Sequence, residues 1–276
     1  MKTSFVKLLR LCPLLLACAL ASHAAWGQDK QDLEPTKPGQ APSKHIVPAH
    51  IDVADVPGLP RVLIIGDSIS EGYLFPVREK FKGVANVHHP TENCGDTGLG
   101  LQRLDVWLGK DKWDVIHFNF GLHDLKYLDA QGKYVPPSKG TQVTSPKVYE
   151  EHLRLLVARL KATGAKLVFA TITPVPAGSK GRVAGDEKVY NAVAMDVMKE
   201  LNVPVDDLCA YVVEVQKKEP PAAPIEKHAK GKKPPEAKKQ AEGIQLPANV
   251  HFTEQGYNQL AEQVAASIQK LLSTKP

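Results

Sequence analysis

Cysteine is scarce in this sequence, with four among 276 residues. Cys12 and Cys18 lie close to the N-terminus, which leaves Cys94 and Cys209 for the rest of the chain. Two cysteines cannot form a disulfide scaffold, and neither has the spaced cysteine or histidine partners of a zinc site. One Cys94–Cys209 bridge and two buried free thiols remain equally open.

An excess of charge of one sign is also missing. The formal charge is +5, and Lys2, Lys7 and Arg10 belong to the first 27 residues, which carry no acid. The remainder has 32 basic against 30 acidic residues, a net charge of +2. A balance so close to neutrality gives no case for a nucleic-acid partner.

Motifs for nucleotides and metal ions are absent too. The glycines of residues 95–100 lack the Lys-Ser/Thr ending of a phosphate-binding loop. His88 and His89 are adjacent, and adjacent side chains point in opposite directions on a strand, so a surface or loop position is predicted for them. The sequence therefore implies neither a metal ion nor a cofactor.

The N-terminus has a distinct order of basic, apolar and small residues. Basic residues precede a short apolar run at 11–20, which is too short to span a bilayer, and small residues follow it. This order predicts a secretory signal peptide over residues 1–27, with cleavage after Ala24 or Gly27. We expect a periplasmic or extracellular protein. Residues 15–18 resemble a lipoprotein box, so anchoring through a lipidated Cys18 is the alternative.

Two segments have the composition of unfolded chain. Residues 28–60 are rich in proline and polar side chains, which predicts a tether or strap. Residues 216–245 contain eight lysines, four glutamates and five prolines, and cannot bury enough apolar surface to fold alone. We predict a solvated insertion within a domain at 61–275. Weak attraction of the insertion to an anionic polymer or membrane surface is the alternative.

Between these segments, apolar patterns predict an α/β domain. Continuous apolar runs at 61–66, 113–120 and 165–172 indicate strands buried on both faces, and 84–88 and 203–205 are two further candidates. Apolar residues three and four apart predict helices at 98–108, 149–160, 187–201 and 254–272. Strands that alternate with helices predict a three-layer α/β/α sandwich with a mostly parallel sheet.

A serine follows the first predicted strand, in the sequence Gly66-Asp67-Ser68. A serine between a buried strand and a helix lies where a nucleophile would be exposed, beside the N–H groups of the helix N-terminus. A helix-capping serine in a tight turn has the same local sequence. The rest of the chain must therefore decide between the two interpretations.

Four blocks in order carry a family resemblance: GDSISEGY at 66–73, NCGDTGLGLQRL at 93–104, GLHD at 121–124 and VHFTEQGY at 250–257. Over residues 61–272 the chain resembles the SGNH hydrolases, also called GDSL-like esterases, and within them an exported bacterial subgroup with histidine in the third block. The resemblance implies a flavodoxin-like fold with a five-stranded sheet. It implies Ser68 as nucleophile, His251 as base, and an oxyanion hole from Ser68, Gly95 and His123.

Two positions depart from the family pattern. His123 stands where the family has asparagine, so the third oxyanion donor would be an imidazole N–H. Ala248 stands where the family has the aspartate that orients the base, which predicts a Ser68–His251 dyad of modest turnover. Candidates to orient His251 or to line the site are Asp67, Asp124 and Asn249, with Asp206 and Asp207 as further carboxylates.

The resemblance implies an exported serine esterase acting on short acyl esters, acetyl above all, carried by carbohydrate. A lipid or lysophospholipid esterase of the same fold is an alternative, disfavoured because the sequence has no long apolar lid segment. A second alternative is a non-catalytic carbohydrate-binding or envelope-associated protein with a degenerate site.

Overall fold

A computed structural model describes residues 48–218 and 243–274 of the chain. The predicted signal peptide, the lipidation candidate Cys18, residues 28–47 of the predicted tether and residues 219–242 of the predicted insertion lie outside the described residues. The strands are β1 (Arg61–Ile65), β2 (Asn86–His88), β3 (Val115–Phe118), β4 (Tyr127–Leu128), β5 (Thr141–Gln142), β6 (Lys166–Ala170) and β7 (Val205–Asp206). The α-helices are α1 (Ser68–Lys80), α2 (Thr97–Leu108), α3 (Pro146–Ala162), α4 (Glu187–Glu200), α5 (Leu208–Lys218) and α6 (Glu254–Ser273).

Five strands form one parallel sheet in the order β2-β1-β3-β6-β7. Counted within this sheet alone, the order is 2-1-3-4-5, which is the flavodoxin-like order. Helices α2, α3 and α4 pack in succession on one side, and α1, α6 and α5 on the other. The expected three-layer α/β/α architecture with a mostly parallel five-stranded sheet is confirmed.

The apolar runs that predicted the strands are buried because helices cover both faces of the sheet. Every residue of Val62–Ile65 in β1 is at most 2% exposed, and β3 and most of β6 are buried in the same way. A strand with both faces covered has no solvent side, so its sequence shows no polar alternation.

The first two crossover connections run in opposite directions along the sheet. The crossover through α1 leads to β2 on one side of β1, and the crossover through α2 leads back to β3 on the other. Right-handed crossovers then place α1 and α2 on opposite faces and open a crevice at the carboxyl ends of β1 and β3. The segments that hold Ser68 and His123 follow these two strands directly.

Three parts of the described chain differ from expectation. Helix α5 was not predicted. Its last turn includes Gln216 from the start of the predicted insertion, and Ile244 near the end of that insertion is buried. A small antiparallel pair, β4 and β5, follows the third sequence block. The described part of the strap contacts the domain, because a 3-10 turn at Pro48–His50 packs on α1 with Ala49 buried.

The surface position predicted for the adjacent histidines is wrong, although His89 does lie in a loop, directly after β2. His88 and His89 are buried, at 6% and 5% exposure, since each has a polar partner: Asp55 lies 2.6 Å from His88, and Ser70 lies 2.8 Å from His89.

Cys94 and Cys209 are free thiols. Within residues 48–218 and 243–274, no helix is long and apolar enough to cross a membrane, and no cluster of potential ligands would hold a metal ion.

Candidate active site

Ser68 is the first residue of α1, two residues after the glycine that ends the buried run of β1. The Asp67 side chain caps the helix by accepting a hydrogen bond from the Ile69 N–H at 2.9 Å. The turn is tight, because a Cβ atom added to Gly66 would lie 2.9 Å from the Ser70 side chain. Ser68 stays partly exposed, and its N–H lies in the first turn, where backbone donors have no partner within the helix.

Ser68 Oγ lies 2.8 Å from Nε2 of His251. The two residues are 183 positions apart in the chain, and the histidine lies just before α6, whose N-terminus Thr253 caps by accepting from the Gly256 N–H at 3.1 Å. The serine at the N-terminus of α1 therefore meets a histidine fixed at the N-terminus of α6. An imidazole nitrogen at this distance can take the proton of the hydroxyl.

Asn249 holds the far side of the His251 ring. Its Oδ1 lies 2.8 Å from Nδ1 of His251 and also accepts a hydrogen bond from the His251 backbone N–H at 3.1 Å. Because a backbone N–H can only donate, it fixes the amide with its oxygen toward the ring. Nδ1 must then carry the hydrogen, and Nε2 presents its lone pair to Ser68. This is the tautomer that a general base requires.

Ala248 has an unusual backbone. Its φ angle is +53°, in the left-handed region that side chains other than Gly, Asn and Asp seldom adopt. Its Cβ lies against Gly178, where an added Cβ atom would approach to 2.9 Å. The position at which the family has aspartate is therefore directed toward the 178 turn, and the neighbouring residue 249 contacts the histidine instead.

Gly95, the second predicted oxyanion donor, follows β2 and has φ of +57°. Its N–H donates to Oδ1 of Asn93 at 3.0 Å, and the Asn93 amide donates to Glu71 of α1, also at 3.0 Å. Glu71 lies 2.9 Å from His50 in the strap. The N–H predicted for the oxyanion is thus engaged within the protein, and an incoming oxyanion would share or replace the Asn93 oxygen.

His123, the third predicted donor, follows β3 and is buried, at 7% exposure. Burial lowers the pKa of His123 well below 6.5, and the charges of Lys126, Arg182 and His251 lower it further. The ring is therefore neutral near pH 7. Its Nδ1 lies 3.1 Å from Nζ of Lys126.

The two aspartates proposed to orient or line the site have other partners. Asp67 caps α1, and burial raises its pKa to about 6. Asp124 accepts hydrogen bonds from the backbone N–H and the hydroxyl of Thr97 at the start of α2, and burial raises its pKa to about 7. Of Asp67, Asp124 and Asn249, Asn249 is the one with a hydrogen bond to His251.

The further carboxylates also lie in structural contacts. Asp206 pairs with His117 at 3.1 Å, and both side chains are fully buried. Asp207 accepts from the Thr171 hydroxyl at 2.9 Å and from the Ala210 N–H at the start of α5. These contacts link strands and helices, and neither aspartate is directed at His251.

Sequence reasoning missed two groups close to the site. Ser70 Oγ lies 2.8 Å from Nε2 of the buried His89, so a second serine–histidine contact stands behind the nucleophile turn. Lys126, buried beside His123, was not predicted although it follows that histidine by three residues, directly after the turn at 121–125. The i, i+3 spacing is a signal that would have found it.

Comparison with known proteins decides the family. Residues 64–259, more than two thirds of the chain, match the family model for "GDSL-like Lipase/Acylhydrolase family". The chain belongs to this family. It is therefore a carboxylic ester hydrolase of the GDSL type. Among curated protein sequences, none matches it.

Solved structures with the GDSL fold resemble the chain at low sequence identity. An acetyl xylan esterase, AlAXEase, is 16% identical with a TM-score of 0.55, over 75% of this chain and 99% of that one. A lipase/acylhydrolase from Enterococcus faecalis is 18% identical with a TM-score of 0.55, over 77% and 96%. The esterase EstA from Pseudoalteromonas sp., inhibited by monoethylphosphonate, is 14% identical with a TM-score of 0.51, over 78% and 99%. At such identities the likeness establishes a common fold.

Proposed function

We propose that this GDSL-type hydrolase is an exported serine esterase that removes short acyl groups, acetyl above all, from carbohydrate, with Ser68 as nucleophile and His251 as base. The observation that carries the catalytic part is the 2.8 Å contact between Ser68 Oγ and His251 Nε2, with Nδ1 of the same ring bonded to Asn249. Nucleophile, base and orienting group are thereby joined in one chain of hydrogen bonds.

In the first half-reaction, His251 Nε2 takes the Ser68 hydroxyl proton while Oγ attacks the ester carbonyl carbon. The negative charge that forms on the carbonyl oxygen is stabilised by N–H donors from Ser68, Gly95 and His123. When the tetrahedral intermediate collapses, the C–O bond to the alcohol breaks, and the imidazolium gives its proton to the leaving oxygen. The product is an acyl group on Ser68 and a free sugar hydroxyl.

In the second half-reaction, a water molecule loses a proton to His251 and attacks the acyl carbon. The bond to Ser68 Oγ breaks, the proton returns to the serine, and a carboxylic acid leaves. The amide of Asn249 holds the imidazolium by a hydrogen bond without a compensating negative charge. We therefore propose a turnover below that of an enzyme with aspartate at this position.

Short acyl groups and carbohydrate are supported by two observations. One structure with the same fold is an acetyl xylan esterase. In the described residues the site lies in the crevice at the carboxyl ends of β1 and β3, where Ser68 is partly exposed. The crevice suits a polar polymer that must reach Ser68 from solvent.

The test compares acyl chain and carrier. The purified protein is assayed with p-nitrophenyl acetate, p-nitrophenyl decanoate, a lysophospholipid and an acetylated polysaccharide, with Ser68→Ala and His251→Ala as controls of verified fold. We expect the acetyl esters to be hydrolysed fastest and both variants to lose at least about a thousandfold in kcat. Preference for the decanoate or lysophospholipid would favour a lipid esterase. Turnover unchanged in Ser68→Ala would overturn the mechanism.

Export is the remaining part of the proposal. The order of basic, apolar and small residues in 1–27 supports it. Mass spectrometry of the N-terminus of protein recovered from a bacterial host is expected to find a chain that begins at Ala25 or Gln28. A lipidated Cys18 would make the protein an anchored one, and an intact Met1 in the cytoplasm would contradict export.

A further inference from the structure

The imidazole at position 123 raises a problem that the asparagine usual in this family does not. An asparagine amide always carries two hydrogens, whereas a neutral imidazole has one hydrogen shared between two nitrogens. His123 is neutral near pH 7, so it can serve as an oxyanion donor only if that hydrogen lies on the nitrogen that faces the substrate. A contact within the protein must therefore fix the tautomer of His123.

Lys126 makes a contact that fixes the tautomer of His123. Its Nζ lies 3.1 Å from Nδ1 of His123 and 3.3 Å from the Tyr134 hydroxyl, and it stands 5.0 Å from the centre of the Tyr134 ring. An ammonium group has three N–H donors and no acceptor, so the nitrogen that it meets must present a lone pair. Nδ1 is then unprotonated, and the hydrogen of the neutral ring lies on Nε2.

The local backbone holds this contact in place. Residues 121–125 form a turn in which the Leu125 N–H donates to the Gly121 carbonyl at 3.0 Å, so Lys126 returns to the side of His123. Lys126 is itself buried, at 7% exposure. Immediately after it, β4 and β5 form the small hairpin that carries Tyr134 toward the ammonium.

We propose that Lys126 is a positioning residue that fixes the Nε2–H tautomer of His123 and so makes this histidine a working substitute for the family's asparagine in the oxyanion hole. The proposal rests on the proposed function, since it assigns Lys126 to the same reaction. The positive charge of Lys126 has a second effect. A neighbouring ammonium group disfavours protonation of the imidazole and so helps to keep His123 neutral.

A double-mutant cycle with His123→Asn tests the coupling. Lys126→Met removes the donor and keeps the length of the side chain, and we expect it to lower kcat for p-nitrophenyl acetate by about 10- to 100-fold with a KM change below about threefold. In the His123→Asn background the same substitution should change kcat by less than about threefold, because an amide needs no tautomer. An equal loss in both backgrounds would assign Lys126 a merely structural role.

Two further variants separate the hydrogen bond from packing. Lys126→Arg keeps a side chain that can only donate, so it should retain kcat within about threefold of the wild type. Tyr134→Phe removes the hydroxyl that lies 3.3 Å from Lys126 Nζ and keeps the ring, and it should also stay within about threefold. A large loss in Tyr134→Phe, or no loss in Lys126→Met, would overturn the proposal.

Nitrogen NMR of His123 tests the tautomer independently of turnover. In protein labelled with ¹⁵N at histidine, we expect His123 to show a protonated Nε2 and an unprotonated Nδ1, and Lys126→Met to lose this preference. Protonated Nδ1 in the wild type would contradict the inference even in a fully active enzyme. If instead Ser68→Ala keeps its turnover while the NMR result holds, the proposed function fails and the tautomer assignment stands.

Discussion

Among single residues, Asn249 is the one that would let His251 act as the proposed base without an aspartate. Its oxygen is oriented by the His251 backbone N–H, so the amide accepts from the ring and the ring keeps its lone pair toward Ser68. An asparagine without such a backbone contact is free to present its NH₂ group, which would favour the wrong tautomer. The Asn249 amide therefore orients the His251 ring as a carboxylate would, but it carries no negative charge.

Replacement of Asn249 by aspartate separates the effect of orienting the His251 ring from the effect of a negative charge beside it. Asn249→Asp should raise kcat by about tenfold or more because a carboxylate also stabilises the imidazolium, while Asn249→Ala should lower it by about 10- to 1,000-fold. Ala248→Asp is the matched control, since its Cβ is directed toward Gly178, and it should not raise kcat. Steady-state kinetics on p-nitrophenyl acetate measure all three. A gain in Ala248→Asp that exceeds the gain in Asn249→Asp would contradict the account.

Asp67 makes stability depend on pH. Burial raises its pKa to about 6 in the folded state, so its contribution to stability is full below about pH 4 and is lost as pH rises through 6. Asp67→Asn keeps a capping oxygen and cannot ionise. Relative to wild type, its free energy of unfolding should therefore rise by about 2 kcal/mol between pH 4 and pH 7.

Urea unfolding at several pH values measures this difference. Asp196→Asn, at an exposed position of α4, is the control and should follow the wild-type profile. A difference between Asp67→Asn and wild type that stays constant across the range would mean that the carboxyl does not titrate as the burial implies.

Between elements, the packing of α1 on α6 places the proposed nucleophile and the proposed base together. Ser68 begins α1, and His251 lies three residues before α6. At their contact, a Cβ atom added to Gly72 would lie 2.1 Å from the ring of Tyr257, so the two helices approach as closely as they do because residue 72 has no side chain. A glycine inside a helix is otherwise unfavourable.

Gly72→Ala should lower the free energy of unfolding by about 1–3 kcal/mol, because the methyl group overlaps an aromatic ring. In the Tyr257→Ala background the overlap is gone, and the same substitution should be neutral or stabilise by up to about 1 kcal/mol through helix propensity. Chemical denaturation of the four proteins gives the coupling. Equal effects of Gly72→Ala in both backgrounds would show that the helix contact does not depend on this glycine.

The elements that sequence could predict are those whose pattern depends on burial alone. The runs behind β1, β3 and β6 are continuously apolar because both faces of the sheet are covered, and the helices α2, α3, α4 and α6 have long amphipathic repeats. Strands β4 and β5 have two residues each, too few for a period to appear. Helix α5 passes into the lysine-rich segment, and the charged composition of 216–218 hid its last turn.

The motif alone points to single residues of the proposed site, a serine before a helix and a late histidine. It does not point to the contacts that these residues make. The burial of His89 depends on Ser70, and the tautomer of His123 depends on Lys126, and such pairings arise only when the chain folds. Asn249 was named as a candidate, but its direction toward the ring depends on the backbone after Ala248.

For the molecule as a whole, we expect the lysine-rich insertion to be separable from the hydrolase. Its two ends meet, since Gln216 donates to Gln245 at 3.2 Å, while Gln245 also bonds to the Pro174 carbonyl at 2.8 Å. We therefore propose that the insertion attracts anionic carriers and takes no part in catalysis.

Replacement of residues 219–242 by a short Gly/Ser linker tests this separation. The melting temperature and the kcat for p-nitrophenyl acetate should stay close to wild type, because the ends are already adjacent and loop length has a small entropic effect, about 0.6 kcal/mol per doubling. With an anionic acetylated polysaccharide at low salt, KM should rise, and added salt should abolish the difference. A loss of turnover on the small ester would mean that the insertion contributes to the site.

Covalent labelling of the nucleophile tests the central claim most directly. The protein is treated with an alkyl fluorophosphonate, and fragment-ion mass spectrometry then locates the adduct in the tryptic peptide 62–78, which contains both Ser68 and Ser70. The account predicts one adduct, on Ser68, in proportion to lost turnover, absent in Ser68→Ala and formed at least about a hundredfold more slowly in His251→Ala. An adduct on Ser70, or full ester hydrolysis after Ser68 is labelled, would contradict it.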